Sequence, residues 1–321
     1  MRGVLAKLGS GLLLVVAVVV LNFVLIHAAP GDPVETIAGE SGGMSEELKT
    51  QLRAQYGLDK PMVVQLGTYL GKIAKGDLGY SYYFNAPVSS LMLERLGPTL
   101  LLVVASVLLA FLAGTWLGVQ ASRKPNGWLA QLTTVFSIAG FSAPVFWTGM
   151  MLIILFGSVW PILPTGDMTD SASTATGWAM VPDVLLHLIL PAVTLALVYI
   201  AQYSRLSRAA MIDVLGSDYV RTARAKGVSE RRILYKHALR NAILPVITVL
   251  GLQFGNVLAG AVLVETVFNW PGLGRLAFDS VLRRDYPTIL GILLFSSIMV
   301  VVMNLVTDIA YRLVDPRIKT T

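Results

Sequence analysis

Few residues in this chain have the types and spacing that chemistry requires. His27, His187 and His237 lie on separate segments and make no metal constellation, and the absence of cysteine removes thiolate ligands and disulfides. Gly71-Lys72 in YLGKIAKG lacks the earlier glycine of a nucleotide-binding loop, and Ile73 stands where Ser or Thr would hold magnesium. Gly272-Leu273-Gly274 with Ala277 mimics a dinucleotide fingerprint, but it follows Trp270-Pro271 without a preceding soluble strand. No HExxH run and no nucleophile, base and metal set suggests a hydrolase. The chain is therefore expected to hold no metal or cofactor and to catalyse nothing by itself. What it offers is a surface. From Asp218 to Pro245 a polar hairpin lies between two long apolar segments. Counted from Arg205 to Arg240, the cations Arg205, Arg208, Arg221, Arg224, Lys226, Arg231, Arg232, Lys236 and Arg240 meet only Asp213, Asp218 and Glu230. Each such charge costs about 2.5 to 3.5 kcal/mol at a bilayer centre, so this segment must lie in water. Asp218 is expected to head a short helix that Gly227 ends in a left-handed or crowded backbone, and Ser229 with Glu230 to cap a second.

The elements around the hairpin read as an all-α membrane protein. Hydrophobic residues make up 55% of the chain and charged ones 14%, the profile of a multi-span protein. Six apolar runs, at 8–29, 100–121, 129–157, 184–203, 243–264 and 288–311, are long enough to cross a bilayer. The first reads as an uncleaved helix, with a cleaved signal peptide as the alternative. Ala110, Gly114 and Gly118, and again Gly251, Gly255 and Ala259, sit four apart and allow close helix approach. Pro144 predicts a kink in the third run. His187, near a helix end, reads as structural. Gln253 and Asn256 share one side of the fifth run and either line a path or bond between helices. Asp308 and Arg312, spaced i and i+4, are expected to pair.

Between the first two runs, residues 30–97 are polar, with helices expected from Ser45 to Tyr56 and from Met62 to Ala74. These lie on the membrane surface or form part of a docking face. A further short helix is expected before Leu282. The flanks comprising the N-terminus, 122–128, the hairpin and the tail hold 16 Lys/Arg and four acids; the alternate flanks hold nine and 14. Positive residues stay inside, so both termini and the hairpin are cytoplasmic. Orientation accounts for the net charge of +6, and no nucleic-acid partner is needed. The division expected is a first transmembrane helix at 1–29, an extracytoplasmic region at 30–97, a five-helix core at 98–312 carrying the loop 204–240, and a tail at 313–321.

Longer motifs carry a resemblance. RTARAKG followed by a basic helix and ILP resembles the cytoplasmic coupling loop of ATP-binding-cassette importer permeases, in the form used by the dipeptide, oligopeptide, nickel and glutathione group. Arg221 and Thr222 stand where the general pattern has Glu and Ala, whereas Ala223 and Gly227 match. PGDP at Pro30 to Pro33, YGLDKP at Tyr56 to Pro61, GDLGYS at Gly76 to Ser81, VFNWPGLGRL at Val267 to Leu276, RDYP at Arg284 to Pro287 and DPR at Asp315 to Arg317 extend it over nearly the whole chain. The resemblance implies a type I importer permease fold in a prokaryotic inner or plasma membrane, with six spans and both termini inside. It implies that Tyr219, Arg221, Ala223, Arg224, Gly227, Arg231 and Arg232 meet a cytoplasmic ATPase subunit that binds ATP and magnesium; for the path, Gln253 and Asn256 are the candidates that the residues themselves offer. It further implies a second similar permease, two ATPase subunits, an extracytoplasmic solute-binding protein and surrounding lipid. Dipeptides or short oligopeptides are the expected substrates; nickel chelates, glutathione and oligosaccharides remain open. A secondary carrier would need ionisable residues at midspan, which this sequence does not present.

Overall fold

The computed structural model describes residues 2–28, 45–47, 50, 60–170, 172 and 176–314; the side chains of 2–8, 26–28, 141, 251–256, 258–260, 303–304 and 306–314 fall outside the described set. Helices dominate: α1 (Arg2–Ala28), α2 (Met62–Ala74), α3 (Val88–Ser122), α4 (Trp128–Ser142), α5 (Val145–Ile153), α6 (Val181–Leu215), α7 (Asp218–Ala225), α8 (Glu230–Ala242), α9 (Leu244–Val267), α10 (Leu273–Arg283) and α11 (Tyr286–Val314). Two short strands, β1 (Tyr80–Ser81) and β2 (Ala86–Pro87), pair antiparallel before α3. Within the described residues each of the six apolar runs falls on helix, the third in two pieces. Among the described residues two stretches, Val88–Ser122 and Gly177–Leu215, are long and apolar enough to cross a bilayer alone, and up to four when each bent pair counts as one span.

Pro144 does more than kink the third run. Ala143 (φ −80°, ψ 128°) and Pro144 (φ −61°, ψ 136°) are both extended, which separates α4 from α5. The proline ring excludes its predecessor from helical geometry, and two extended residues end the helix outright. α3 and α6 instead absorb Pro98 and Pro191 inside continuous helix.

The chain forms two compact units. One comprises 1–96 with 276–302. Here α2 begins where the sequence puts it, and it keeps Met62 and Val63 exposed, as a helix on an apolar surface would. The companion helix expected from Ser45 falls largely outside the described residues. Tyr69 of α2 lies 6.1 Å from Phe23 of α1, and buried Asn22 donates to the Leu290 carbonyl at 3.3 Å. The Asp285 carboxylate accepts from Thr288 at 2.7 Å and from Ser81 at 2.5 Å, which ties the β1–β2 hairpin to the start of α11.

The other unit comprises 97–275 with 303–319. Its apolar core follows α3, α6 and α9 in three successive clusters. The first holds Leu102, Val103, Leu190, Leu195, Val264, Phe268 and Trp270. The second holds Ala110, Ile200, Tyr203 and Val246. The third holds Val119, Met211, Leu234, Ala238 and Ala242 and reaches into α8. The small-residue face expected on α3 is realised. A Cβ on Gly114 would lie 2.9 Å from the Ile200 carbonyl, and one on Gly118 would lie 2.5 Å from that of Ser204. Glycine lets the α3 and α6 backbones touch, which is how helices associate where lipid supplies no hydrophobic drive. The corresponding residues Gly251, Gly255 and Ala259 lie outside the described side chains, as do Asp308 and Arg312.

Candidate functional site: an exposed basic hairpin

The hairpin forms because its two helices share a small core and leave their charges outside. α6 ends at Leu215, Gly216 and Ser217 turn the chain, and α7 begins. Ser217 (φ −73°, ψ 154°) is the residue in N-cap geometry, with Asp218 one position inside, so the acid meets the positive end of the helix from the first turn. Val220 of α7 packs inward, with Ile233, Leu234 and Ala238 of α8 also buried. Residues Ile233–Ala238 form a π-helical turn within α8, a widening that sequence periodicity does not reveal.

Gly227 has φ +72°, and nothing lies within 4 Å of the position a Cβ would take. Of the two reasons expected for glycine, the left-handed backbone is therefore the operative one, and crowding is not. The Gly227 N–H bonds the Arg224 carbonyl at 2.9 Å and Val228 N–H the Ala223 carbonyl at 3.2 Å, closing α7.

The residues singled out from sequence lie on the outside of the hairpin, with one exception. Tyr219, Arg221, Arg224, Gly227, Arg231 and Arg232 are exposed, and Ala223 is half-buried between them. Arg224 Nε donates to Glu230 at 2.9 Å, a bond that joins the end of α7 to the start of α8. Arg221 meets Asp218 at 3.4 Å with both side chains largely in solvent. The Tyr219 hydroxyl donates to the His237 carbonyl at 3.4 Å and accepts from Asn241 Nδ2 at 2.8 Å, fixing the crossing of the two helices. Ser229, Arg231, Arg232, Tyr235 and Lys236 line an open groove of about 470 Å³. A groove with three cations and one phenol suits carboxylate-bearing side chains of a partner.

Sequence reasoning missed the ties that hold this surface. Gln120, at the end of α3, donates to the Tyr235 hydroxyl at 2.6 Å, and Arg208 of α6 spans from α4 to the α3–α4 turn. Neither has a local pattern, because each partner is more than 70 residues away. His187 is structural as expected: its Nδ1 lies 2.9 Å from the Asp183 carbonyl and 3.1 Å from the Asp183 carboxylate. Gln253 and Asn256 fall on α9, with side chains outside the described set.

At the other end of α9 the helix runs past its expected limit and buries Glu265 completely. The carboxylate accepts from Thr99 Oγ1 at 2.7 Å and from Arg275 N–H at 3.0 Å, while Thr99 accepts from Leu273 N–H at 2.8 Å. Glu265 and Thr99 thus cap α10 from a distance. Trp270 Nε1 donates to the Pro98 carbonyl at 2.9 Å, which gives the buried indole N–H its partner.

Apolar helices long enough to cross a bilayer, joined by an exposed basic hairpin, define the class of multi-pass membrane proteins. The chain's inner-membrane class follows from comparison. Residues 107–320 match the family of binding-protein-dependent transport system inner membrane components, and residues 1–103 match the N-terminal region of such components; the chain belongs to this family. It is 40% identical to the dipeptide transport system permease protein DppB of Escherichia coli K12, covering 98% of both chains. It is 41% identical to the oligopeptide transport system permease protein AppB of Bacillus subtilis, covering 95% of both. A subunit of the MetNI methionine ABC transporter in an inward-facing conformation shares the fold, with a TM-score of 0.54 and 14% identity over 70% of this chain and 96% of that one. The chain is thus a transport component of the inner membrane and not an enzyme.

Proposed function

We propose that this chain is a permease subunit of an ATP-driven importer of dipeptides or short oligopeptides. End-to-end similarity to peptide permeases carries this reading, since it spans both the hairpin and the polar region before α3. In this reading α1, α3, the α4–α5 pair, α6, α9 and α11 are six spans of a type I permease, with both termini and the hairpin cytoplasmic. Residues 30–97 lie outside, 98–312 form the core around the loop 204–240, and 313–321 end inside. Tyr219, Arg221, Ala223, Arg224, Gly227, Arg231 and Arg232 meet an ATPase subunit; ATP and magnesium bind to that partner. A second permease, two ATPase subunits and a solute-binding protein complete the assembly, with Gln253 and Asn256 facing the path.

The test is an Arg224→Cys variant in a chain that has no other cysteine. Cross-linking in the native membrane is expected to give an adduct with an ATPase subunit that changes with ATP. A correctly inserted, abundant chain that yields no ATPase adduct removes the importer reading. For the path, replacing Gln253 and Asn256 together by Leu is expected to lower uptake while assembly persists; unchanged uptake assigns both to packing.

A further inference from the structure

The hairpin is useful only if its displacement reaches the rest of the protein, and one side chain joins the helix that leads into it to two further elements. Arg208 lies on α6, two turns before Leu215. Its Nη1 donates to Thr134 Oγ1 of α4 at 3.1 Å, and its Nη2 donates to the Pro125 carbonyl, in the turn between α3 and α4, at 2.8 Å. Its Nε is buried with no partner among the described residues.

The backbone beneath it is locked as well. A Cβ on Gly118 would lie 2.6 Å from Ser207 Cβ and 2.8 Å from Arg208 N, so α3 is pressed against this turn of α6. Slightly earlier, Ser137 of α4 donates to the Ala201 carbonyl at 3.1 Å. Here α6 touches α3 on one side and α4 on another, and the guanidinium closes the triangle through their connecting turn.

The chemistry selects arginine. Both acceptors are neutral oxygens on different elements, so the link depends on a planar fork that holds two diverging bonds at once. A lysine has the same charge but concentrates its donors at one point. We propose that Arg208 is a positioning residue that converts displacement of the α7–α8 hairpin into joint movement of α3, α4 and α6. Without it, the hairpin keeps its contacts with α3 at Val119 and Gln120, but α4 and the α3–α4 turn lose this tie to α6 and lag behind. This rests on the reading that an ATPase subunit engages the hairpin.

The experiment uses the assembled transporter in membranes and measures uptake per ATP hydrolysed, with Lys226→Cys on the exposed end of α7 as a docking reporter. In Arg208→Gln the reporter adduct and ATP hydrolysis are expected to persist while uptake per ATP falls about tenfold. Arg208→Lys is expected to retain an intermediate ratio, and Thr134→Val to lower it less, because the Pro125 bond remains. A wild-type ratio in Arg208→Gln overturns the proposal, as does loss of the adduct at normal abundance, which would place Arg208 in docking itself. If Arg208→Gln fails to accumulate, Arg208→Lys decides: an unchanged ratio overturns the proposal and a lowered one sustains it. Absence of an adduct in the otherwise wild-type chain counts against the importer reading instead.

Discussion

The α7–α8 hairpin and the turn from Glu265 to Arg275 are both polar interruptions of apolar helices, and both need glycine, for opposite reasons. Gly227 is required by its φ of +72° in open space. Gly272 and Gly274 have no such backbone; a Cβ there would lie 2.2 Å and 2.9 Å from atoms of the Glu265 carboxyl group. The hairpin keeps its charges in water, where its ion pairs are worth little, and so leaves its cations available to a partner. The other turn draws its acid inside and engages it with a hydroxyl and a backbone N–H. One region keeps its charges exposed and the other locks its charge inside.

Asparagine separates the two kinds of glycine, because it tolerates a left-handed backbone but still carries a side chain. Gly272→Asn is expected to have the largest effect of all, displacing a buried carboxylate and costing about 3 kcal/mol or more, beyond ordinary overpacking. Thermal unfolding of the purified chain in detergent measures it, and an unchanged midpoint would mean that the turn is less confined than its contacts require. Gly227→Asn is expected to leave stability and uptake close to normal. Gly227→Val, which forces a β-branched residue into the same conformation, is expected to abolish uptake and substrate-stimulated ATP hydrolysis with normal membrane insertion. Normal coupling in the valine variant would sever the link between that backbone and function.

Thr99→Val tests the buried network more gently. It keeps the shape and removes the hydroxyl that links Glu265 to Leu273 N–H, at an expected cost of about 1 to 3 kcal/mol. Heat-induced loss of folded protein, compared with wild type, reads this out. The smallest effect is expected at the hairpin's own surface. Breaking Arg224–Glu230 with Glu230→Gln should change stability by no more than about 0.2 to 1 kcal/mol, less at high salt. A larger loss would show that the hairpin, too, depends on a charge for its fold.

Much of the architecture was legible in the chain. Apolar runs located the helices, the Met62–Ala74 helix was bounded correctly, and Ala110, Gly114 and Gly118 announced a close helix contact on α3, whose partner, α6, the structure supplies. These signals are local: a helix repeats its environment every few residues, so composition along the chain records which face meets what. The exposed arginines and Gly227 were likewise readable, because a charge must reach water and a left-handed turn favours glycine wherever it occurs.

Glu265, Arg208 and Gln120 were not readable in that way. Glu265 sits in a turn-rich polar stretch that sequence alone assigns to the outside, and only the return of α10 over Thr99 buries it. Arg208 looks like one more basic residue of the hairpin until α4 and the α3–α4 turn supply its acceptors. The sequence by itself determined which segments leave water and which stay in it, because transfer energies belong to individual residues. Tertiary structure decided which polar groups serve as struts and which remain free to bind, since a hydrogen bond across many residues exists only after both ends have been brought together.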